Sequence, residues 1–101
     1  MNKNLNILIT PKAKSDISQI SDFISNDNPK TALALIELFY KTFELISEYP
    51  MAGIVKDNIK DKTVRIYIVK KNFVIVYRIK NNAIEILRIL TRYQNLLTVI
   101  N

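Results

Sequence analysis

The chain has 101 residues, a formal net charge of +6, and neither cysteine nor histidine. Without cysteine there is no disulfide framework and no thiolate metal site; without histidine, Ser-His-Asp and Cys-His catalytic sets are excluded and the commonest transition-metal ligand is missing. This length and an apolar fraction of 49% predict one core and one domain over residues 1–101.

The first element in chain order is LNILIT, residues 5–10, a short apolar run that reads as a strand. Thr10 is a good N-cap and Pro11 suits the first position of a helix ending near Asn26, with Ala13, Ile17, Ile20 and Ile24 on one face. Asn28 and Pro29 repeat the device for a second helix, with a stripe of Ala32, Ile36, Phe39, Phe43 and Ile46 widened by Leu35, Leu38 and Leu45. Tyr40, Phe39 and Phe43, at helical spacing, are expected in the core. The short link between the helices predicts an antiparallel helix hairpin, and Pro50 ends the second helix. Gly53, the only glycine, is expected to take a positive φ where the chain turns toward the sheet.

A polar connection, MAGIVKDNIKDK, precedes three strands at 63–69, 73–79 and 83–91, all rich in β-branched and aromatic residues. In the last strand Ile84, Ile86, Arg88 and Leu90 alternate with Ala83, Glu85, Leu87 and Ile89. Asparagine tolerates positive φ, so Asn81-Asn82 suits a two-residue hairpin. That register sets Arg78 against Glu85, Tyr77 against Ile86 and Ile75 against Arg88. The turn at Lys70–Asn72 fits a two- or a three-residue loop. Both sheet faces are apolar and the helix hairpin covers one, so the other needs LLTVI at residues 96–100 or another chain. The fold class is α+β: N-terminal strand, antiparallel helix hairpin, and a three-stranded antiparallel meander in one sheet.

Charge is uneven along the chain. Residues 1–50 carry five lysines and six acids, net −1, and residues 51–101 carry six lysines, four arginines and three acids, net +7. The basic half implies an anionic partner, either nucleic acid or an acidic protein segment, or a generic basic surface. No run reaches the ~18 apolar residues of a membrane span and the N-terminus has no signal-peptide core, so a cytoplasmic protein without membrane contact is expected. Asp16, Asp22 and Asp27 form no facing carboxylate set, and no metal or cofactor is expected.

The order and spacing of ILITPKAKSDISQISDFI, NPKTALALIELFYKTFELISEYPMAG and VRIYIVKKNFVIVYRIKNNAIEILRIL resemble the RelE/ParE superfamily of type II toxin–antitoxin toxins over about 90 residues. The Asn28-Pro29 helix start and the Pro50-x-x-Gly53 corner look ParE-like. In the place of the basic residue that RelE-like nucleases carry late in the second strand stands Val69. The stretch TRYQN also departs from the basic run, often with histidine, that ParE-like chains carry there. The resemblance implies a toxin that inhibits DNA gyrase by binding, neutralised by a small acidic cognate antitoxin laid on the uncovered apolar surface. The oligomer would be a homodimer or a toxin–antitoxin hetero-oligomer. The alternatives are a RelE-like, metal-independent, ribosome-dependent mRNA endoribonuclease and an inactive partner-binding module.

Under the nuclease alternative, Arg65, Arg88, Arg92 and Tyr93 are the catalytic candidates, acting by charge stabilisation and proton relay. For target binding the candidates are Arg65, Arg92, Tyr93, Lys56, Lys60 and Lys62. Each has a structural reading beside it. Arg65 suits an edge-strand charge. Arg88 suits a bridge to the helices, to Glu44 or Glu48, because an arginine on an apolar face must be paired or reach water. Arg78 suits its pair with Glu85. The three lysines suit a solvated loop, and Arg92 and Tyr93 suit a strand-end anchor.

Overall fold

The computed structural model describes residues 4–92 and 94–100. In chain order its elements are β1 (Asn6–Ile9), α1 (Pro11–Ser25), α2 (Pro29–Glu48), β2 (Val64–Val69), β3 (Phe73–Lys80), β4 (Ala83–Thr91) and the short helix α3 (Leu96–Ile100). Both long helices begin as their caps dictate. Thr10 Oγ1 accepts the Ala13 N–H at 3.2 Å, Asn28 Oδ1 accepts the Thr31 N–H at 3.1 Å, and a proline fills the first helical turn of each. The strands form one mixed sheet in the order β1-β4-β3-β2, with β1 parallel to β4 and the other pairs antiparallel. The α+β architecture expected from the sequence is present.

Each sheet face carries a core. On the front, Ala13 and Ile17 of α1 and Leu35, Phe39, Phe43 and Ile46 of α2 pack on Val69, Ile75, Tyr77, Ile84, Ile86 and Ile89. Full burial of side chains of this size stabilises by about 1.5–3 kcal/mol each. The rear core holds Ile59, Val64, Ile66, Val76 and Leu90, with Leu96, Val99 and Ile100 of α3 against it. The LLTVI segment therefore covers the rear face. The connection after α2 is less polar than its composition implies, because Ile59 is buried and Ile54 bridges to Ile66. Two residues of α2 depart from expectation. Tyr40 and Leu45 are exposed, Tyr40 lying edge-on to Phe43 on the outer side of the helix; the stripe is narrower than the run of apolar residues.

The hairpin registers follow turn chemistry up to one point. Asn81 and Asn82 have φ of 52° and 58°, and Arg78 faces Glu85, with Arg78 Nε 2.7 Å from Glu85 Oε1. The β2–β3 connection is the three-residue form, closing between Val69 and Phe73 with Lys70 and Lys71 at positive φ. Tyr77 faces Ile86 as expected, but Ile75 faces Ile89 and Val76 faces Arg88. A β-bulge between these pairs inserts Leu87 as an extra residue and switches the phase of β4. Beyond it Ile89 faces the front core and Leu90 the rear, opposite to the uninterrupted alternation.

Gly53 does not have a positive φ. Its requirement is close approach. A Cβ built there would lie 2.6 Å from Tyr77 Oη, 2.7 Å from Tyr77 Cε1 and 2.9 Å from the Ile66 carbonyl oxygen. The Gly53 N–H donates to Tyr77 Oη at 2.8 Å, and that hydroxyl donates to the Pro50 carbonyl at 2.7 Å.

Candidate functional site

The candidate residues fall in three places. Arg65 belongs to the Gly53 corner, where its Nη1 donates to the Gly53 carbonyl at 2.7 Å. With the fully buried Tyr77 it locks the passage from α2 to the sheet. Burial pushes the Tyr77 phenol above its ordinary pKa, as expected for a hydroxyl held neutral by desolvation.

Lys56, Lys60 and Lys62 lie in the exposed loop before β2. The Lys62 ammonium donates to the carbonyls of Lys56, at 3.1 Å, and Asp57, so this lysine closes its own loop. Asp61 caps the entry to β2: its Oδ1 accepts from the Thr63 hydroxyl at 2.6 Å and the Thr63 N–H at 2.9 Å. The Thr63 hydroxyl is the first cause, and its N–H the second, that lowers the Asp61 pKa. Arg78 Nη1 lies 3.5 Å from Asp61 and joins the loop to the sheet.

The third place is the outer edge of β4. Strand β1 pairs with β4 only as far as Ile9 and Ile86, because the chain then turns into α1. Past that point side chains supply the partners. Thr10 Oγ1 lies 2.9 Å from the Ile86 carbonyl and 3.0 Å from that of Leu87. Asp16 Oδ2 accepts the Ile89 N–H at 2.9 Å, and Gln94 Oε1 accepts the Thr91 N–H at 2.9 Å. The same Asp16 carboxylate holds Arg88 by two bonds, 2.7 Å from Nε and 2.9 Å from Nη2. Arg88 therefore bridges to α1 at Asp16, and neither Glu44 nor Glu48 takes it. Its guanidinium reaches the first helix from the bulged stretch of β4. Hydrogen bonding to Asp16 raises the Arg88 pKa, so the guanidinium keeps its charge.

This edge is one wall of a groove of about 670 Å³ between α1 and the ends of β3 and β4. Ile20, Ile24, Phe73 and Ile89 make it apolar, and Phe23, 79% exposed, stands at its side. A concavity of this size with an apolar lining and a few polar groups is the general form of a binding site. Arg88 lies in it; Arg65 and the lysines of the loop do not line it. Arg92 is exposed beside it, its backbone N–H donating to the Asn72 carbonyl at 2.9 Å. Tyr93 lies outside the described residues. The four arginine and tyrosine candidates are therefore not seen as one constellation. Among the described residues no three acidic side chains gather to hold a metal ion, and no helix is long and apolar enough to cross a membrane.

Sequence reasoning missed Asp16 as the organising residue. Its signal is positional: it sits between Ala13 and Ile17 on the apolar face of α1, where a carboxylate needs a partner.

Residues 7–96 match the family model of the ParE toxin of the type II toxin–antitoxin system parDE. No curated protein sequence matches the chain. Among solved structures, the chain is similar to one from the chromosomal ParDE toxin–antitoxin system of P. aeruginosa, with a TM-score of 0.71, 22% identity, and coverage of 86% of this chain and 95% of the other. A second is from the toxin–antitoxin complex RelBE2 of Mycobacterium tuberculosis, with a TM-score of 0.63, 18% identity, and coverage of 89% and 100%. A third is the solution structure of a conserved hypothetical protein of Helicobacter pylori, with a TM-score of 0.60, 17% identity, and coverage of 89% and 97%.

Proposed function

The chain belongs to the ParE toxin family of type II toxin–antitoxin systems, and from that premise we propose that it stops bacterial growth by binding and inhibiting DNA gyrase in the cytoplasm. The observation that carries binding over hydrolysis is the commitment of Arg88. Its guanidinium is spent on Asp16, which also takes the Ile89 N–H, so its charge is neutralised at the wall of the groove. A nuclease arginine must instead meet a phosphate as charge develops on it. Arg65, the other strand arginine, is spent on the Gly53 carbonyl.

The partner that restrains the toxin is a small acidic antitoxin. Its apolar segment would cover exposed residues such as Phe23, Leu33, Met51 and Ile68, and its charge would complement the basic half of the chain. A RelE-like ribosome-dependent endoribonuclease is the second reading, favoured by one observation: Arg88 and Thr91 line the same groove, beside Arg92.

The deciding experiment is a supercoiling assay with purified toxin, run beside an mRNA cleavage assay in a translation extract. Inhibited supercoiling with intact mRNA is the expected result. Unimpaired gyrase at micromolar toxin, with mRNA cut and the cutting lost in Arg92→Ala, would replace this reading with the second.

A further inference from the structure

We propose that Asp16 is a positioning residue for the toxin's activity: by holding the β4 bulge it aims the strand end that carries Thr91 and Arg92. This rests on the toxin reading above, and not on which target the toxin meets.

Strand pairing has a period of two, so a one-residue change of phase turns every later side chain to the other face. β4 contains such a change between Ile86 and Arg88. Its sequence also suits the uninterrupted strand, with Ile84, Ile86 and Leu90 on one face. Something outside the strand must therefore select the bulged form. The selecting groups are on the β1–α1 turn and on α1. Thr10 takes the carbonyl side of the bulge, at Ile86 and Leu87. Asp16 takes the N–H of Ile89 and, by two bonds, the guanidinium of Arg88.

The Asp16 carboxylate is buried, and its acceptor bonds match a donor set that exists only in the bulged phase. Without it the Ile89 N–H, also buried, would lack a partner on the edge that β1 no longer covers. The residues beyond depend on the phase so selected. Thr91 offers its N–H to Gln94, and the Arg92 N–H reaches Asn72 across the end of the sheet. Those two bonds set the direction in which the chain leaves the sheet at the mouth of the groove. Asp16 thus acts through Ile89 and Arg88 on a segment in which it does not itself lie.

The test compares Asp16→Asn with Phe43→Leu, a core truncation on α2 expected to lower the melting temperature by a similar amount. Both are followed by thermal melting, by amide NMR spectra, and by growth of bacterial cells expressing the chain without antitoxin. The expected result for Asp16→Asn is a folded chain with shifted amide signals at Ile89, Thr91, Arg92 and Gln94, and at least about tenfold more protein needed for growth arrest. Phe43→Leu is expected to leave those signals in place and to arrest growth at wild-type levels. Equal loss of arrest in the two variants would mean a merely structural role and would overturn the proposal, as would an Asp16→Asn chain that arrests growth like the wild type. Should Asp16→Asn fail to fold, Asp16→Glu takes its place. It keeps the charge facing Arg88 but displaces the oxygens from the Ile89 N–H, and full arrest by it would overturn the proposal too. Arrest by the wild type with unimpaired gyrase would count against the gyrase target alone; no arrest by the wild type would overturn both readings.

Discussion

Replacing Gly53 by alanine is the sharpest probe of how the helical half is joined to the sheet. The added methyl would meet Tyr77 Oη at 2.6 Å, Tyr77 Cε1 at 2.7 Å and the Ile66 carbonyl at 2.9 Å. None of these can yield cheaply. Tyr77 is fully buried, Ile66 is backbone within a strand, and Ile66 also exchanges both backbone bonds with Ile54 at 2.9 Å. Forcing an extra carbon into packed structure costs about 1–3 kcal/mol. Moving the phenol also breaks its bonds to the Gly53 N–H and the Pro50 carbonyl, at about 1 kcal/mol each when the groups stay buried. The total is about 3–5 kcal/mol, which for a domain of this size is a fall in melting temperature of about 15–25 °C. Thermal unfolding followed by circular dichroism measures it. A second substitution, Gly53→Asn, separates two mechanisms: were the need a left-handed backbone, asparagine would be tolerated better than alanine, whereas crowding by Tyr77 makes it worse. A fall of less than about 4 °C for Gly53→Ala, equivalent to ~1 kcal/mol, or an asparagine variant more stable than the alanine one, would refute the crowding account.

Three further outcomes follow from the same contacts. Arg88→Ala leaves Asp16 buried with only the Ile89 N–H for a partner and should cost about 2–3 kcal/mol in urea unfolding, with part of that loss recovered in the Asp16→Asn/Arg88→Ala double variant. Asn82 sits at φ 58°, so Asn82→Ala should cost about 1 kcal/mol while Asn82→Gly is neutral or slightly stabilising; equal melting points for the two would deny the hairpin its left-handed turn. Tyr77 has a raised pKa in the fold, chiefly from burial, so its contribution to stability is present below the unfolded tyrosine value near 10 and is lost as pH climbs through the folded value. Stability should therefore drop in strong alkali, and Tyr77→Phe, though less stable at neutral pH, should show a shallower drop over the same range.

Local chemistry made most of the scaffold legible. Thr10-Pro11 and Asn28-Pro29 begin the helices they mark, and Asn81-Asn82 sets a register that holds from Lys80 to Tyr77. These signals are short-range, and each is complete within a few residues. The errors share the opposite property. Whether Gly53 needs a positive φ or an empty space depends on Tyr77, 24 residues away. Arg88 cannot be assigned a partner without knowing the phase of β4, and that phase is set by Thr10 and Asp16, more than 70 residues earlier. A period-two count along 83–91 contains no sign of the extra residue, because Leu87, Ile89 and Leu90 are apolar on either count. Ile59 was hidden for a similar reason: one isoleucine in a loop of lysines and aspartates gives no periodicity, yet the rear core closes over it.

The same long-range contacts change what the charge of the C-terminal half means. Its net +7 counts every cation alike. In the fold, Arg65, Arg78 and Arg88 are each bonded internally, to the Gly53 carbonyl, to Glu85 with Asp61, and to Asp16. Two of these three arginines are neutralised by carboxylates, one of which belongs to the acidic half. Exposed cations of this half include Lys56, Lys70, Lys71 and Lys80. Lysine is a compact, hydrated point charge on a flexible stem, whereas the planar fork of arginine holds a phosphate by paired bonds. A surface whose cations are mostly lysines, with its strand arginines turned inward, suits long-range attraction to an acidic protein better than fixed geometry around a reacting phosphate. That distribution of charge, as well as the pairing of Arg88, favours a toxin that acts by holding its target.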